Sequence, residues 1–541
     1  MIDPLPSPFG EECARMALID LFEAAARRDP AHKAVVDPRK ALGYAALAGE
    51  ARRLARALIA RGLEPGDRVV MQVTNSCEAA VTAWAVLASG GVLVPLHAVL
   101  RGEALMPVLR DCTPRWAVLG AEQRGALAQL TVASPSLCGA FGWIGERESV
   151  AGGDDARLES WVLGGAAGAG SGPPAHAQPP LEPPRQDALA AILYTSGSTG
   201  EPKGVMLTHA NMAAGVRAVN AYLRLDERDV IYSPLPLSSS YGLYQLLLGL
   251  AIGATVVLDR GFTFPAKSLE LMARERATVF AAVPTMYAWL ARSTILERHD
   301  LSSLRIMTSA AAALPLAHAQ RVRERLPGAR LYVMYGQTEC KRISYLEPDE
   351  FDRRPGSVGR GMPFQDLAVV DEQGRRVGAG ETGELVVTGP HVMQGYWGRP
   401  EETARKLRPI EGDQRRWLHT EDLFRIDADG YLYFVGRRDD VFKVGGHKVS
   451  PAEVEDVLVR IPGVVEAAVV GVPDAEWGRA VKAFLVPAED GAPSVESVLR
   501  ECARHLRPFM IPKAVEFLAQ LPKTESGKIR KRDLLGHSAI N

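Results

Sequence analysis

The most constraining stretch of this 541-residue chain is Thr195-Ser196-Gly197-Ser198-Thr199-Gly200-Glu201-Pro202-Lys203-Gly204. It follows the apolar run Ala190 to Tyr194, which has the length of a buried strand. Three glycines, four hydroxyls and one lysine fall within ten residues. Glycine lets backbone N–H groups approach a ligand, and adjacent N–H groups form a nest for an anion. Ser and Thr add donors, and Lys203 adds charge. Such a loop suits a polyphosphate. It is not a Walker A loop, in which Gly-Lys runs directly into Ser or Thr at a helix start. Here Lys203 precedes Gly204-Val205, and Pro202 stands inside the loop.

The rest of the chain is long enough for two or more domains. A net charge of −1 without long runs of one sign argues against nucleic acid or an anionic membrane surface as the main partner. The six cysteines contain no Cys-x-x-Cys pair, which points to a reducing compartment and no structural zinc. Asp3, Glu11 and Glu12 occupy a start without an apolar segment, so no signal peptide is expected. The most apolar stretch, Leu243 to Leu258, is interrupted by Gln245, Gly249 and Gly253. It is read as a buried helix followed by a strand and not as a membrane span. A cytoplasmic location follows as the expectation.

Helical and strand patterns alternate through the first 340 residues. Residues 17–30 and 44–62 read as helices, and Arg68 to Val73 as a strand. Asn75 is the expected cap of a helix reaching about Ser89. This alternation predicts an α/β fold of mainly parallel sheets flanked by helices. Residues 145–187, rich in Gly, Ala and Pro, read as a flexible insertion without chemistry. Short alternating strands over 360–435 predict a small β-barrel-like subdomain. The last hundred residues read as a compact α+β unit. The expected division is an N-terminal domain 1–436, a hinge 437–440 and a mobile C-terminal domain 441–541.

Four further motifs stand in order after the loop. Tyr335-Gly336-Gln337-Thr338-Glu339 follows an apolar run and offers a carboxylate at a strand exit, a position able to hold Mg²⁺ beside phosphates. Thr420-Glu421-Asp422 offers an acceptor for ribose hydroxyls and is expected just before the last barrel strands. Gly436-Arg437-Arg438-Asp439-Asp440 leads into Lys443-Val444-Gly445-Gly446, and Pro522-Lys523-Thr524-Glu525-Ser526-Gly527-Lys528 closes the series. Together with the loop, these motifs closely resemble the signatures of the acyl-adenylate-forming enzymes, and are nearest in type to acyl-CoA synthetases. The resemblance covers residues 195–530, and residues 17–100 resemble that superfamily's N-terminal lobe.

The resemblance implies a role for each residue. Thr195 through Gly200 and Lys203 would bind the phosphates of ATP. Tyr335 would stack on adenine, with Gly336 and Gln337 beside it. Thr338 would contact the α-phosphate region, and Glu339 would hold Mg²⁺. Asp422 and Arg437 would bind ribose; the superfamily has Gly where Glu421 stands. Asp439 would be the pivot, Lys528 the catalytic lysine for adenylation, and Lys443 with Gly446 would face the site in the second conformation.

The reaction implied is ATP-dependent activation of a carboxylic acid to acyl-AMP, with pyrophosphate released, followed by acyl transfer to CoA. A carrier-protein thiol, an amine or another small nucleophile is an alternative acceptor. A family member that binds nucleotide without catalysis is a further reading. The acid pocket is expected at Ser239, Ser240, Tyr241 and Gly242 and at Ser309, Ala310 and Ala311. No aspartate is present there to meet an α-ammonium group, which disfavours amino acids. Alanines stand where relatives usually carry glycine, which narrows the tunnel and favours a medium-length or aromatic acid over a long chain.

Overall fold

The computed structural model describes residues 17–143, 158–161, 181–196, 201–438, 440–488, 491–523 and 529–535. Two large sheets dominate the N-terminal part. In the first, Arg68–Gln72 lies between Val92–Pro95 and Trp116–Leu119, all parallel. Leu189–Ser196 extends it into an antiparallel hairpin with Pro202–Thr208. In the second, Lys33–Val36, Thr255–Leu258, Val230–Ser233, Val279–Ala282, Ile306–Ser309 and Arg330–Tyr335 run parallel.

Helices Cys77–Ala88 and Ser240–Ile252 are almost wholly apolar and buried along nearly all their length. A helix without a polar face has no place on a surface. These two accordingly share one core with strands of both sheets, together with Leu18–Arg28, Tyr44–Ala60 and His209–Leu223. Separate cores cover the outer faces. Helices Pro265–Arg274, Pro284–Arg292 and Leu316–Arg325 cover the second sheet, and Met106–Cys112 and Leu127–Ala133 the first. The mixed α/β architecture expected from the alternation is therefore present, as two sheets around a shared helical layer.

The sequence reading needs two corrections and one refinement. Ser76, not Asn75, caps Cys77–Ala88, its Oγ accepting from Ala79 N–H at 3.3 Å. Asn75 is drawn away by a longer-range task. Its Nδ2 donates to the carbonyls of Leu235 (2.7 Å) and Asp259 (2.9 Å), and its Oδ1 accepts from Leu237 N–H (3.1 Å). It thereby fastens loops of the second sheet to the end of the first. The insertion 145–187 contains a strand, Leu158–Trp161, which extends the first sheet beside Gly139–Trp143. Thr420-Glu421-Asp422 precedes the last strand of its sheet, Leu432–Arg437, as expected, but itself lies inside the long strand Asp413–Ile426.

Residues 366–437 form a five-stranded sheet centred on Thr382–Thr388 and Asp413–Ile426. After it come a hairpin, Phe442–Val444 with His447–Val449, and a smaller unit. There Val464–Asp474, Gly478–Pro487 and Ala514–Phe517 form a sheet packed by helices Pro451–Leu458 and Val495–His505. Among the described residues, no helix is long and apolar enough to cross a membrane.

Candidate active site

Strands end together at the site. Leu189–Ser196 and Pro202–Thr208 flank the phosphate-type loop and place Thr195 across from Lys203 in register. Gly197, Ser198, Thr199 and Gly200 lie outside the described residues, as does the side chain of Ser196. Lys203 Nζ forms an ion pair with Glu402, which holds that carboxyl below the usual carboxylate range, and stands 5.6 Å from the centre of the Tyr396 ring. Lys203, Tyr396, Glu402, Arg405, Lys406, Glu421 and Glu201 line a cleft of about 460 Å³.

Arg330–Tyr335 delivers the second motif. A Cβ on Gly336 would stand 2.6 Å from Lys341 O and 2.7 Å from Arg342 Cα, so only glycine lets this loop fold back on itself. Tyr335 O–H and Gln337 Nε2 (2.9 Å) both donate to Asp422 Oδ2, and Gln337 Nε2 also donates to Thr420 O at 2.8 Å. The Tyr335 ring packs edge-on against Phe424 at 4.7 Å and beside Phe434 at 6.4 Å. Thr338 follows and is half-buried. Glu339 Oε1 accepts from Tyr396 O–H at 2.8 Å.

Asp422 is 6% exposed. Burial pushes its carboxyl up, against the hydrogen bond from Tyr335 and the charge of Arg437. Oδ2 is satisfied. Oδ1 has no hydrogen-bond partner among the described residues, and Arg437 Nε stands 3.5 Å from it. Gln337 Oε1 is buried without a partner as well. Buried acceptors are almost always bonded, so this pair of open acceptors marks a place for a donor such as a sugar hydroxyl or a base amino group.

Glu421, which stands where the superfamily has glycine, adopts φ +62°. The left-handed turn is kept without the glycine. Glu421 N–H donates to Glu384 Oε1 (2.9 Å), and its carboxylate pairs with Lys406 (2.9 Å), which anchors the turn. Ala311, in a segment expected to line the acid pocket, is likewise left-handed, with φ +80°.

In that pocket Ser239 caps Ser240–Ile252, its Oγ accepting from Gly242 N–H at 3.0 Å. A Cβ on Gly242 would lie 2.3 Å from Pro236 O. The buried Tyr241 hydroxyl bonds Thr308 Oγ1 at 2.7 Å and Thr308 O at 2.9 Å. Ser309 and Ala310 are buried at the end of Ile306–Ser309. Sequence reasoning did not single out Tyr396, Glu402 and Lys406, which line the cleft with Lys203, or the adjacent buried pair Lys341 and Arg342. The run Gly395-Tyr396-Trp397 was an available signal, since its aromatics interrupt a polar stretch.

The C-terminal residues are divided. Lys443 is exposed in its hairpin, whose turn is held by Gly445 N–H donating to Trp477 O at 3.0 Å. Lys528 and Asp439 lie outside the described residues. Ile529 and Lys531, however, line a cleft of about 290 Å³ together with Ala311 to Pro315, His318 and the face of Pro451–Leu458 that carries Ala452 and Glu455.

Comparison with known proteins shows the family. The AMP-binding enzyme profile matches residues 22–397, and the AMP-binding enzyme C-terminal domain profile matches residues 453–528. A feruloyl-CoA synthase of an Amycolatopsis species is 36% identical over 512 residues, covering 94% of this chain and 96% of that protein. An indoleacetate–CoA ligase of Aromatoleum aromaticum is 34% identical, covering 96% and 98%. The ATP-bound structure of MatB from Rhodopseudomonas palustris superposes with a TM-score of 0.83 at 32% identity, covering 96% of this chain and 99% of that one. The chain belongs to the AMP-binding enzyme family and is an AMP-forming ligase of the acid–thiol type, activating a carboxylic acid as acyl-AMP and passing it to CoA.

Proposed function

We propose that the chain adenylates a compact acid, aryl or of medium length, at a site to which Asp422, Lys203 and Ala311 contribute. The observation that carries this reading is Asp422, a buried carboxylate with one oxygen fully bonded and the other open beside Arg437. A ribose diol supplies the missing donors. Tyr335 and Gln337 hold the carboxylate in place, so little reorganisation is left for the moment of binding.

Adenylation brings a carboxylate anion to an α-phosphate already surrounded by negative charge. Lys203, together with Arg405 and Lys406 in the same cleft, offsets charge on the phosphates that leave. Glu339 is the residue that would hold Mg²⁺. Among the described residues no cluster of three or more ligating side chains exists, and a lone carboxylate suits an ion that keeps its waters and takes phosphate oxygens. Bound there, Mg²⁺ supplies charge neutralisation to the phosphates. Tyr396 orients Glu339 through the 2.8 Å hydrogen bond.

Lys528 is proposed to neutralise the incoming carboxylate. Its sequence neighbours Ile529 and Lys531 border the cleft that ends at Ala311, which supports this placement. The thiol step is proposed to follow rotation of residues 441–541 about Asp439, which withdraws Lys528 and brings Lys443 and Gly446 inward. The relatives' named acids, ferulate and indoleacetate, support an aryl or medium-length substrate.

Acid-dependent exchange of labelled pyrophosphate into ATP, without CoA, tests the first half-reaction. Lys528→Ala is expected to lower that exchange by about 10³-fold or more while sparing CoA transfer from supplied acyl-AMP. Equal loss in both half-reactions removes the assigned role of Lys528.

A further inference from the structure

Four lysine or arginine side chains are buried among the described residues: Lys341, Arg342, Lys406 and Lys482. Two have carboxylate partners. Lys406 pairs with Glu421 and Lys482 with Glu516, each at 2.9 Å. The other two are adjacent and have none. Lys341 is 5% exposed and Arg342 is 3% exposed. Neither side chain forms a hydrogen bond or ion pair with any described residue, and Lys341 Nζ and Arg342 Nε are buried without partners. Their polar surroundings are tyrosines. The Lys341 ammonium lies 4.5 Å from the Tyr244 ring centre and 5.5 Å from that of Tyr241, and the Arg342 guanidinium carbon lies 5.0 Å from that of Tyr241.

Aromatic faces attract a cation but do not replace its hydrogen bonds. Two neighbouring buried cations also repel each other. A guanidinium also offers a planar set of donors that an aromatic face leaves unmet. A desolvated guanidinium without an anion is unfavourable in the folded protein, and Lys341 is in addition held at φ +62°. The arrangement makes physical sense when the anion arrives with the ligand.

The position identifies that ligand. Tyr241, on which Arg342 stacks, belongs to the acid-pocket segment and is bonded to Thr308, one residue before Ser309. Gly336, which opens the nucleotide motif, packs directly on the Lys341–Arg342 backbone. The cations therefore stand behind the acid pocket, on the loop that continues from Glu339. Resting on the adenylation reading above, we propose that the substrate is a dicarboxylic acid: one carboxylate is adenylated and the distal one is bound by Arg342 and Lys341. A guanidinium matches a carboxylate in a planar two-point geometry, and Lys341 adds a third donor.

Pyrophosphate exchange on matched pairs of equal length and shape tests this: heptanoate against pimelate, hexanoate against adipate, and 4-methylbenzoate against terephthalate. At least one diacid is expected to exceed its monoacid partner in kcat/KM by about 100-fold or more, as sites built around a buried polar contact reject analogues that lack it. Arg342→Gln and Lys341→Met are expected to erase most of that ratio through loss of the diacid rate. Monoacids equal to or better than their partners throughout overturn the proposal while adenylation stands. A diacid ratio unchanged in folded forms of both variants overturns it as well. If either variant fails to fold, the wild-type ratios decide. Exchange with no acid at all removes the adenylation reading and this inference with it.

Discussion

The two ends of the active site handle buried charge in opposite ways. At the nucleotide end Asp422 is held by Tyr335, Gln337 and Arg437, and Lys406 by Glu421. Polar groups there satisfy one another, leaving a few acceptors open. At the proposed acid end Lys341 and Arg342 are buried with aromatic faces and no anion among the described residues. The first arrangement is complete enough to persist without ligand. The second is a standing electrostatic demand. The difference teaches where specificity resides: a ligand common to every turnover meets a mostly satisfied network with two acceptors left open, and the ligand that must be chosen meets cations with no anion.

Crossed substitutions would break this comparison if it is wrong. Asp422→Ala is expected to lower kcat/KM for ATP by about 10²–10³-fold, equally for every acid, since it removes a charged acceptor from the ligand all acids share. Arg342→Gln is expected to reorder the acids instead. Steady-state exchange kinetics with two acids separates the outcomes, and a change of acid ranking in Asp422→Ala would show that the ends are not independent.

Stability should respond to acid through two buried histidines. Burial pushes His209 and His391 down to about 4. Between about pH 6.5 and 4 the unfolded chain takes up protons that the folded one refuses, so stability is full above the unfolded value and falls as pH drops through this window. The loss is on the order of a few kcal/mol in total. Denaturant melts from pH 7 to 4 measure it, and His209→Gln with His391→Gln should flatten the slope.

The smallest effect concerns backbone. Ala311→Gly relieves a left-handed alanine and is expected to change stability by no more than about 1 kcal/mol, as relief of strain is offset by the entropy of glycine. Glu421→Gly is expected to destabilise slightly, because it also strips Lys406 of its carboxylate. Thermal melts of the two variants sharpen the contrast between a turn anchored by charge and one that is not.

Much of this was legible in the chain. Gly336 reads from sequence because a loop that folds onto Lys341 and Arg342 tolerates no Cβ. Thr208 reads as a cap because Asn211, three residues on, completes a local box. Asn75 misled for the converse reason: its partners Leu235, Leu237 and Asp259 are more than 150 residues away, beyond any local rule. Glu421 and Ala311 show that a missing glycine need not mean a missing turn, since tertiary contacts can hold a left-handed residue in place. Lys341-Arg342 carries no local signal of burial in the sequence. Only the packing of Tyr241 and Tyr244 around them shows that both are buried.

Asn75 carries a consequence for anyone redesigning substrate choice. Its three hydrogen bonds tie the segment before Ser239 to the opposite sheet, so the pocket wall at 233–242 is not a transplantable cassette. A loop grafted from a relative keeps its shape only if the recipient also offers an amide at position 75 and the donor loop presents backbone groups at the same places. Library design that varies the wall while fixing Asn75 should therefore retain more folded clones than designs that move the wall alone.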